Sequence, residues 1–350
     1  MDIAPPDIQR STYLYIDNGM RITPVHHVSQ NVRETFRENT APRAAGGTMP
    51  PLEQNTIGNG GDRAAVRSLT FDDITVTYVV DGVIALRPEV FFPAVPADAW
   101  TELVTAGGEL LMSAGGLLVE IAGSTVLIDA GVGRMTETLS FGGVDCGSLI
   151  DVLGALGVPP GDIDVVAFTH LHFDHAGWAF TDGTKTFPNA RYVVAADEIA
   201  PYGTAERNDD PTAPWDAITR LAGGEHDVVT VQDGEQVVPG VHAVVTGGHT
   251  PGHTSYVVTS AAGQRLVVFG DAFHTPAQLS HLHWLSSVDP DDGSVQGARL
   301  RLLTELDRPD TVGFAFHFGD QPFGRVVTDA SGVRVWEPVA SQLVAPPPRR

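Results

Sequence analysis

The sequence predicts an α/β protein of two β-sheets with helices outside them and a functional site along one sheet edge. Three observations predict it. Short β-branched runs dominate from residue 69 onward, helical-period segments are inserted between them, and the residues able to do chemistry fall just after the ends of the predicted strands.

Taken in order, residues 1–68 are rich in Asn, Arg, Pro and Gly, as in Ala44-Ala45-Gly46-Gly47 and Gly58-Asn59-Gly60-Gly61, and show little aliphatic periodicity. They read as an N-terminal extension. Either they wrap the core or a neighbouring protomer through Tyr13, Tyr15, Ile16 and Met20, which would make a homodimer arm, or they are a tail. Residues 69–338 read as one catalytic domain and 339–350 as a C-terminal tail. Residues 74–80 are β-branched and run into Asp81-Gly82, a hairpin turn signal before 83–86. Residues 117–121 and 125–128 flank Gly123 as a second hairpin. Ser148 and Asp151 resemble a capping box for a helix with Leu149, Ile150, Leu153 and Leu156 on one face, ended by Gly157 and Pro159-Pro160. Strands follow at 165–168, 191–195, 228–231, 241–245, 254–259 and 265–269. Val295, Ala298, Leu302, Leu303 and Leu306 take helical spacing over 294–306, and strands at 311–316 and 333–336 complete the domain.

Composition narrows the function. The chain of 350 residues carries 21 basic and 43 acidic side chains, a formal charge of −22, which repels phosphate backbones and anionic lipid. Neither nucleic acid nor membrane is expected as a partner. The single Cys146 excludes an internal disulfide and any multi-cysteine zinc site. The first residues form no leader pattern and the apolar runs are too short to span a bilayer, so a cytoplasmic protein is expected.

The decisive stretch is Thr169-His170-Leu171-His172-Phe173-Asp174-His175. Alternate residues at an extended strand end point the same way, so His170 and His172 can share one ion, while Asp174 and His175 can address a second. Imidazole and carboxylate donors suit zinc, or iron and manganese in the same geometry. Further donors occupy similar strand-end positions: His249 in a glycine-rich turn, Asp271 after 265–269, and His317. No nucleophile elbow, phosphate-cradling loop or paired glutamate arrangement competes with this set.

In these ordered motifs, over residues 69 to about 338, the chain resembles the metallo-β-lactamase-fold hydrolases. The resemblance implies an αββα sandwich of two mixed β-sheets and two divalent metal ions per chain, zinc first. It assigns one ion to His170, His172 and His249 and the other to Asp174, His175 and His317, with Asp271 bridging both. It also implies that Asp129, in Asp129-Ala130-Gly131, holds the metal loop by hydrogen bonds, and that His253 stands behind the ligands. The implied reaction is attack by a metal-bridging hydroxide, which makes Asp174, as proton relay, and Asp271 the catalytic candidates.

Members acting on β-lactams generally lack the bridging carboxylate, RNA-processing members need a basic surface, and the last 60 residues offer no basic glutathione site. The segment from Ala272 to Gln278, with Trp284 and His317-Phe318, resembles lactonases and methyl-parathion-hydrolase-like members. An aromatic and apolar pocket is implied, for which Phe91, Phe92, Phe173, Trp178, Phe273, His274 and Trp284 are the candidates here. The expected substrate is a small neutral ester, an acyl-homoserine lactone or other lactone first. The alternatives are a thioesterase or tailoring hydrolase in a biosynthetic pathway, or an organophosphate triesterase.

Overall fold

The computed structural model describes residues 13–16, 22–25, 55–100, 103–203, 215–223 and 228–348. The chain divides into two units, residues 1–50 and 51–350. In the first, β1 (Tyr13–Ile16) and β2 (Ile22–Val25) pair antiparallel. The packing expected of Tyr13, Tyr15, Ile16 and Met20 lies outside the described residues.

The second unit begins with β3 (Asn55–Thr56), β4 (Val66–Phe71) and β5 (Ile74–Leu86). Helix α1 (Pro88–Phe91) precedes β6 (Leu110–Ile121), β7 (Ser124–Ile128), β8 (Met135–Leu139) and β9 (Gly142–Cys146). Then come α2 (Leu149–Ala155), β10 (Val165–Ala167), α3 (Phe173–Ala176) and a small ribbon of β11 (Phe180–Thr181) with β12 (Thr184–Lys185). Strand β13 (Arg191–Ala195), helices α4 (Ala196–Gly203) and α5 (Trp215–Ala222), and β14 (Val228–Val231) follow. The rest is β15 (Gln236–Val238), β16 (Val241–Val245), β17 (Thr254–Thr259), β18 (Arg265–Val268), α6 (Ser294–Leu306) and β19 (Thr311–Phe314). It closes with β20 (Phe323–Thr328), β21 (Arg334–Pro338) and β22 (Ser341–Ala345).

Among the described residues, one sheet runs β14-β13-β10-β7-β6-β5-β4-β22-β3, with β9 on β5 and β8 on β9, and the other runs β15 to β21 in order. Both are mixed: β7, β10, β13 and β14 are parallel neighbours, as are β18 and β19, and the other pairings are antiparallel. Strand alternation explains the layering. Val76, Tyr78, Leu117, Val119, Val126, Ile128 and Val193 point inward to meet Val241, Ala243, Tyr256, Val258, Leu266 and Phe314 of the other sheet. Their odd-phase neighbours Leu118, Leu127, Val166 and Val194 point outward and are covered by Leu149 and Leu153 of α2 and Ile218 and Leu221 of α5. On the far side Val257, Val267 and Phe269 receive Leu302, Leu303 and Leu306 of α6. Helix, sheet, sheet, helix is the order of layers. No helix among the described residues is long and apolar enough to cross a membrane.

Three local expectations are corrected. Asp81-Gly82 is no hairpin turn: β5 runs on through it with a register shift, and neither residue takes the positive φ that such a turn needs. The cause is the Asp81 carboxylate, buried beneath the strand, which accepts the N–H groups of Val132, Gly133 and Leu149 and the Trp178 indole N–H. Ser148 makes no side-chain cap to α2, because its own backbone already lies in the right-handed helical region, φ −95° and ψ −9°, rather than the extended one from which a side chain caps. Residues 339–350 also do more than trail, because β22 inserts between β4 and β3.

Candidate metal centre

Strands β7, β10, β16, β18 and β19 release their chains at one edge, and Asp129, His170, His249, Asp271 and His317 follow within a few residues. Beyond β10 the chain stays extended through His172 and then turns into α3, which carries Asp174 and His175. Gly270, just before Asp271, has φ of 51°, and a Cβ there would lie 2.5 Å from His253 Nε2. Only glycine fits so close an approach.

The structure brings all seven candidate ligands together in two groups that share Asp271. His170, His172, His249 and Asp271 form one, and Asp174, His175, His317 and Asp271 the other, with donor atoms inside 4.8 Å of one another in each. In the first, His172 Nδ1 is 3.0 Å from both His170 Nε2 and His249 Nε2, while Asp271 Oδ2 lies 3.5 Å from His249 Nε2 and 3.8 Å from His170 Nε2. In the second, Asp271 Oδ1 lies 2.9 Å from His317 Nε2 and 3.1 Å from His175 Nε2; Asp174 Oδ2 is 3.6 Å from His175 Nε2. A tetrahedral ion with bonds of about 2.0–2.2 Å separates its ligand atoms by about 3.4 Å.

The partners behind the rings decide where the lone pairs point. His317 Nδ1 donates to the Ser113 carbonyl at 2.9 Å, His175 Nδ1 to Asp129 at 2.8 Å and His249 Nδ1 to Asp289 at 2.7 Å, and these acceptors can only accept. The Thr169 hydroxyl donates to Asp129, so it accepts from His170 Nδ1 at 3.1 Å. Four Nε2 lone pairs therefore converge on the two groups. His175 Nε2 is buried without a hydrogen-bond partner. This donor set fits two divalent cations: His170, His172 and His249 would hold one, Asp174, His175 and His317 the other, and Asp271 is within reach of both groups.

Electrostatics differs from ring to ring: burial opposes charge on His249, but Asp289 and then Asp271 outweigh it and raise its pKa. Burial, reinforced by the neighbouring imidazoles, holds the pKa of His170 and His172 well below the usual histidine range. Burial opposes charge on His175 and His317 too, but Asp271 and Asp174 outweigh it and raise both. The surrounding imidazoles hold Asp271 well below the carboxylate range, against its desolvation. His253 stands behind the groups: its Nε2 accepts the Asp271 N–H at 3.0 Å, and burial lowers its pKa to about 3. Asp129 is fully buried at φ 61° and accepts the Thr169 N–H and hydroxyl as well as His175.

A pocket of about 410 Å³, counting the space open to solvent at its mouth, has His172, Asp174 and Asp271 as its polar floor. Its wall is Ile84, Leu86, Phe91, Met112, Phe141, Phe173 and Val288, with His274. Of the expected lining, Phe91, Phe173 and His274 are there. His274 is buried, its Nε2 is 3.2 Å from Asp271 Oδ2, and neither ring nitrogen has a hydrogen-bond partner. The other four line other places. Phe92 packs on Trp100 beneath Phe91, Trp178 turns its indole to Asp81, and Phe273 packs on Phe269 under the Arg299 guanidinium. Trp284 stacks on His281 at 3.9 Å. Each is an aromatic used for packing. Sequence reasoning missed Ile84, Leu86, Met112, Phe141, Val288 and Asp289, which carry no motif, and Ser113, which contributes only its carbonyl.

Comparison with known proteins agrees with this geometry. Residues 116–317 match the Metallo-beta-lactamase superfamily. The N-acyl homoserine lactonase AiiA of Bacillus thuringiensis subsp. kurstaki is 27% identical over 162 residues, which cover 46% of this chain and 59% of that protein. The N-acyl homoserine lactonase AttM of Agrobacterium fabrum is 29% identical over 136 residues, 36% of this chain and 47% of that protein. The chain thus spans less than two thirds of the length of the relatives it matches. Among solved structures, the hydrolase AbOPH of the beta lactamase superfamily superposes with a TM-score of 0.66 at 25% identity, covering 79% of this chain and 98% of that one. AidC, a dizinc quorum-quenching lactonase in complex with a product, gives 0.68 at 20% identity over 80% and 99%, a likeness of fold.

Proposed function

The chain belongs to the Metallo-beta-lactamase superfamily, and from that premise we propose that it is a zinc-dependent hydrolase that opens lactones, N-acyl homoserine lactones first. The observation that carries the reading is a carboxylate, Asp271, shared by two four-donor groups at the floor of an apolar pocket. The names of the lactonase relatives support it.

When bound, a pair of divalent cations supplies a Lewis acid for the ester carbonyl and lowers the pKa of water to about 7. The chain supplies the rest. The wall of Ile84, Leu86, Phe91, Met112, Phe141, Phe173 and Val288 takes an acyl chain and sheds water, and offers a charged substrate nothing. His274 projects from that wall beside Asp271 and donates a hydrogen bond to the substrate's acyl oxygen. Asp174 borders the pocket floor, takes the proton given up by the attacking water and passes it to the ring oxygen as the C–O bond breaks; a lactone alkoxide needs that proton, and a nitrophenoxide does not.

The test is metal analysis and a substrate panel on one preparation. Close to two zinc ions per chain, with turnover of N-acyl homoserine lactones above that of thioesters and phosphotriesters, is expected. Thioester cleavage without lactone opening would replace the substrate assignment, and protein that takes up no divalent metal would remove the mechanism.

A further inference from the structure

Two of the clustered histidines lean on carboxylates. Asp129, behind His175, comes from the Asp-x-Gly turn; Asp289, behind His249, belongs to no motif. Its Oδ1 accepts from His249 Nδ1 at 2.7 Å and its Oδ2 accepts the Ser286 N–H at 2.8 Å. The side chains of Asp289 and Arg299 are both fully buried, with Arg299 Nη2 3.6 Å from Asp289 Oδ2. Arg299 spends its other donors on backbone: Nε donates to the Ala272 carbonyl at 2.7 Å, and Nη1 to those of Leu282 and Trp284 at 2.8 and 2.7 Å. Helix α6, which carries Arg299, lies directly on the His249 turn. A Cβ on Gly248 would sit 3.0 Å from Val295 Cα and 3.1 Å from Ala298 Cβ.

A buried ion pair is a costly way to hold a fold together, because desolvation offsets most of its attraction. This one touches two things at once. On one side is a donor-group imidazole. On the other are residues 272–288, which include His274 and reach Val288 on the pocket wall, and the Ser287 N–H donates to the Phe91 carbonyl at 2.7 Å.

We propose that Asp289 and Arg299 are positioning residues that fix His249 for the first donor group and couple it to the pocket wall; the metal half of this rests on the reading above. Asp289 only accepts, so His249 keeps its proton on Nδ1 and presents the Nε2 lone pair to the group. Arg299 neutralises the buried carboxylate and, through three carbonyls, holds the segment that forms the wall. A displacement of the ligand and a displacement of the wall then pass through one carboxylate.

The experiment compares wild type with Asp289→Asn, Asp289→Ala and Arg299→Lys, as full-length chains with and without zinc. Nitrogen-15 shifts of the His249 ring in the zinc-free chain report its tautomer, chelator competition reports the affinity of each ion, and kcat and KM are measured across lactones of increasing acyl length. In Asp289→Ala the Nδ1–H tautomer gives way to a mixture, one ion weakens by about 10–100-fold while the other changes little, and KM shifts with acyl length. Asp289→Asn keeps an acceptor and the tautomer and loses less affinity, a rescue that a role in overall folding would not produce. An unchanged tautomer in Asp289→Ala, or equal weakening of both ions, overturns the proposal. If wild type binds no ion, the metal reading fails, and the tautomer alone decides whether Asp289 positions His249.

Discussion

The two donor groups are built from the same residue types yet differ in charge. The first offers three imidazoles and the shared Asp271; the second offers two imidazoles, Asp271 and a carboxylate of its own, Asp174. A divalent cation is better neutralised in the second. Each group also has one carboxylate behind a ring, Asp289 at His249 and Asp129 at His175, so the difference stands. The lesson is that symmetry of the ligand set hides an asymmetry of the field, so the two ions should leave under different conditions.

The harshest way to break the comparison is to remove what the groups share. Asp271→Ala should take metal content from two toward none and lower lactone turnover by about 10³-fold or more, read by metal analysis and kcat/KM together. Retention of both ions would mean that Asp271 bridges nothing. Asp174→Asn removes the carboxylate that sets the groups apart. Two-phase metal release to a chelator should collapse to one phase, and lactone kcat/KM should fall by about 10²-fold while nitrophenyl phosphotriester hydrolysis falls far less. Equal losses on the two substrates would reduce Asp174 to a ligand.

Asp129→Asn tests the second group from outside. Asparagine tolerates the left-handed backbone at φ 61°, so the fold should survive while the ion beside His175 weakens by about 10-fold. Acid sharpens the contrast further. The raised pKa values of His175 and His317 mean that below those values their protonated forms prevail and protons displace the cation. In the first group only His249 is raised, by Asp289 and Asp271, while His170 and His172, held low, resist protonation to lower pH. As pH falls, the second group should empty first, a loss to be followed by cobalt absorption in the substituted protein; the reverse order would contradict the field described here. The smallest effect belongs to the wall. Phe141→Ala should raise KM for long acyl chains by roughly 10-fold and leave both ions in place.

What could be read in advance follows from where information sits in the chain. The ligands were legible because each closes a β-branched strand at a glycine or histidine-rich turn, and four of them fall within residues 170–175. The layers were legible because strand alternation is local. The pocket was not, because Ile84 and Met112 meet only once β5 and β6 pair, Phe141 and Val288 come from segments far from them in sequence, and an apolar residue on a wall looks like one in a core. Asp81 misled for a related reason: Asp-Gly signals a turn only when no distant backbone claims the carboxylate, and three distant N–H groups do. Asp289 stayed invisible because its partner ring lies forty residues earlier in the chain.

The insertion of β22 between β4 and β3 bears on how the molecule assembles in time. Among the described residues, strand β3 has no sheet neighbour other than β22, and β4 has β22 as its second neighbour. During synthesis the two earliest strands of the unit must therefore wait for nearly the whole chain before that border can close. Until then the β4 edge offers unpaired N–H and C=O groups to any other nascent chain. Pulse-labelled hydrogen exchange during refolding should protect amides of β6 and β7 well before those of β3 and β22, and simultaneous protection would show that the border forms with the core.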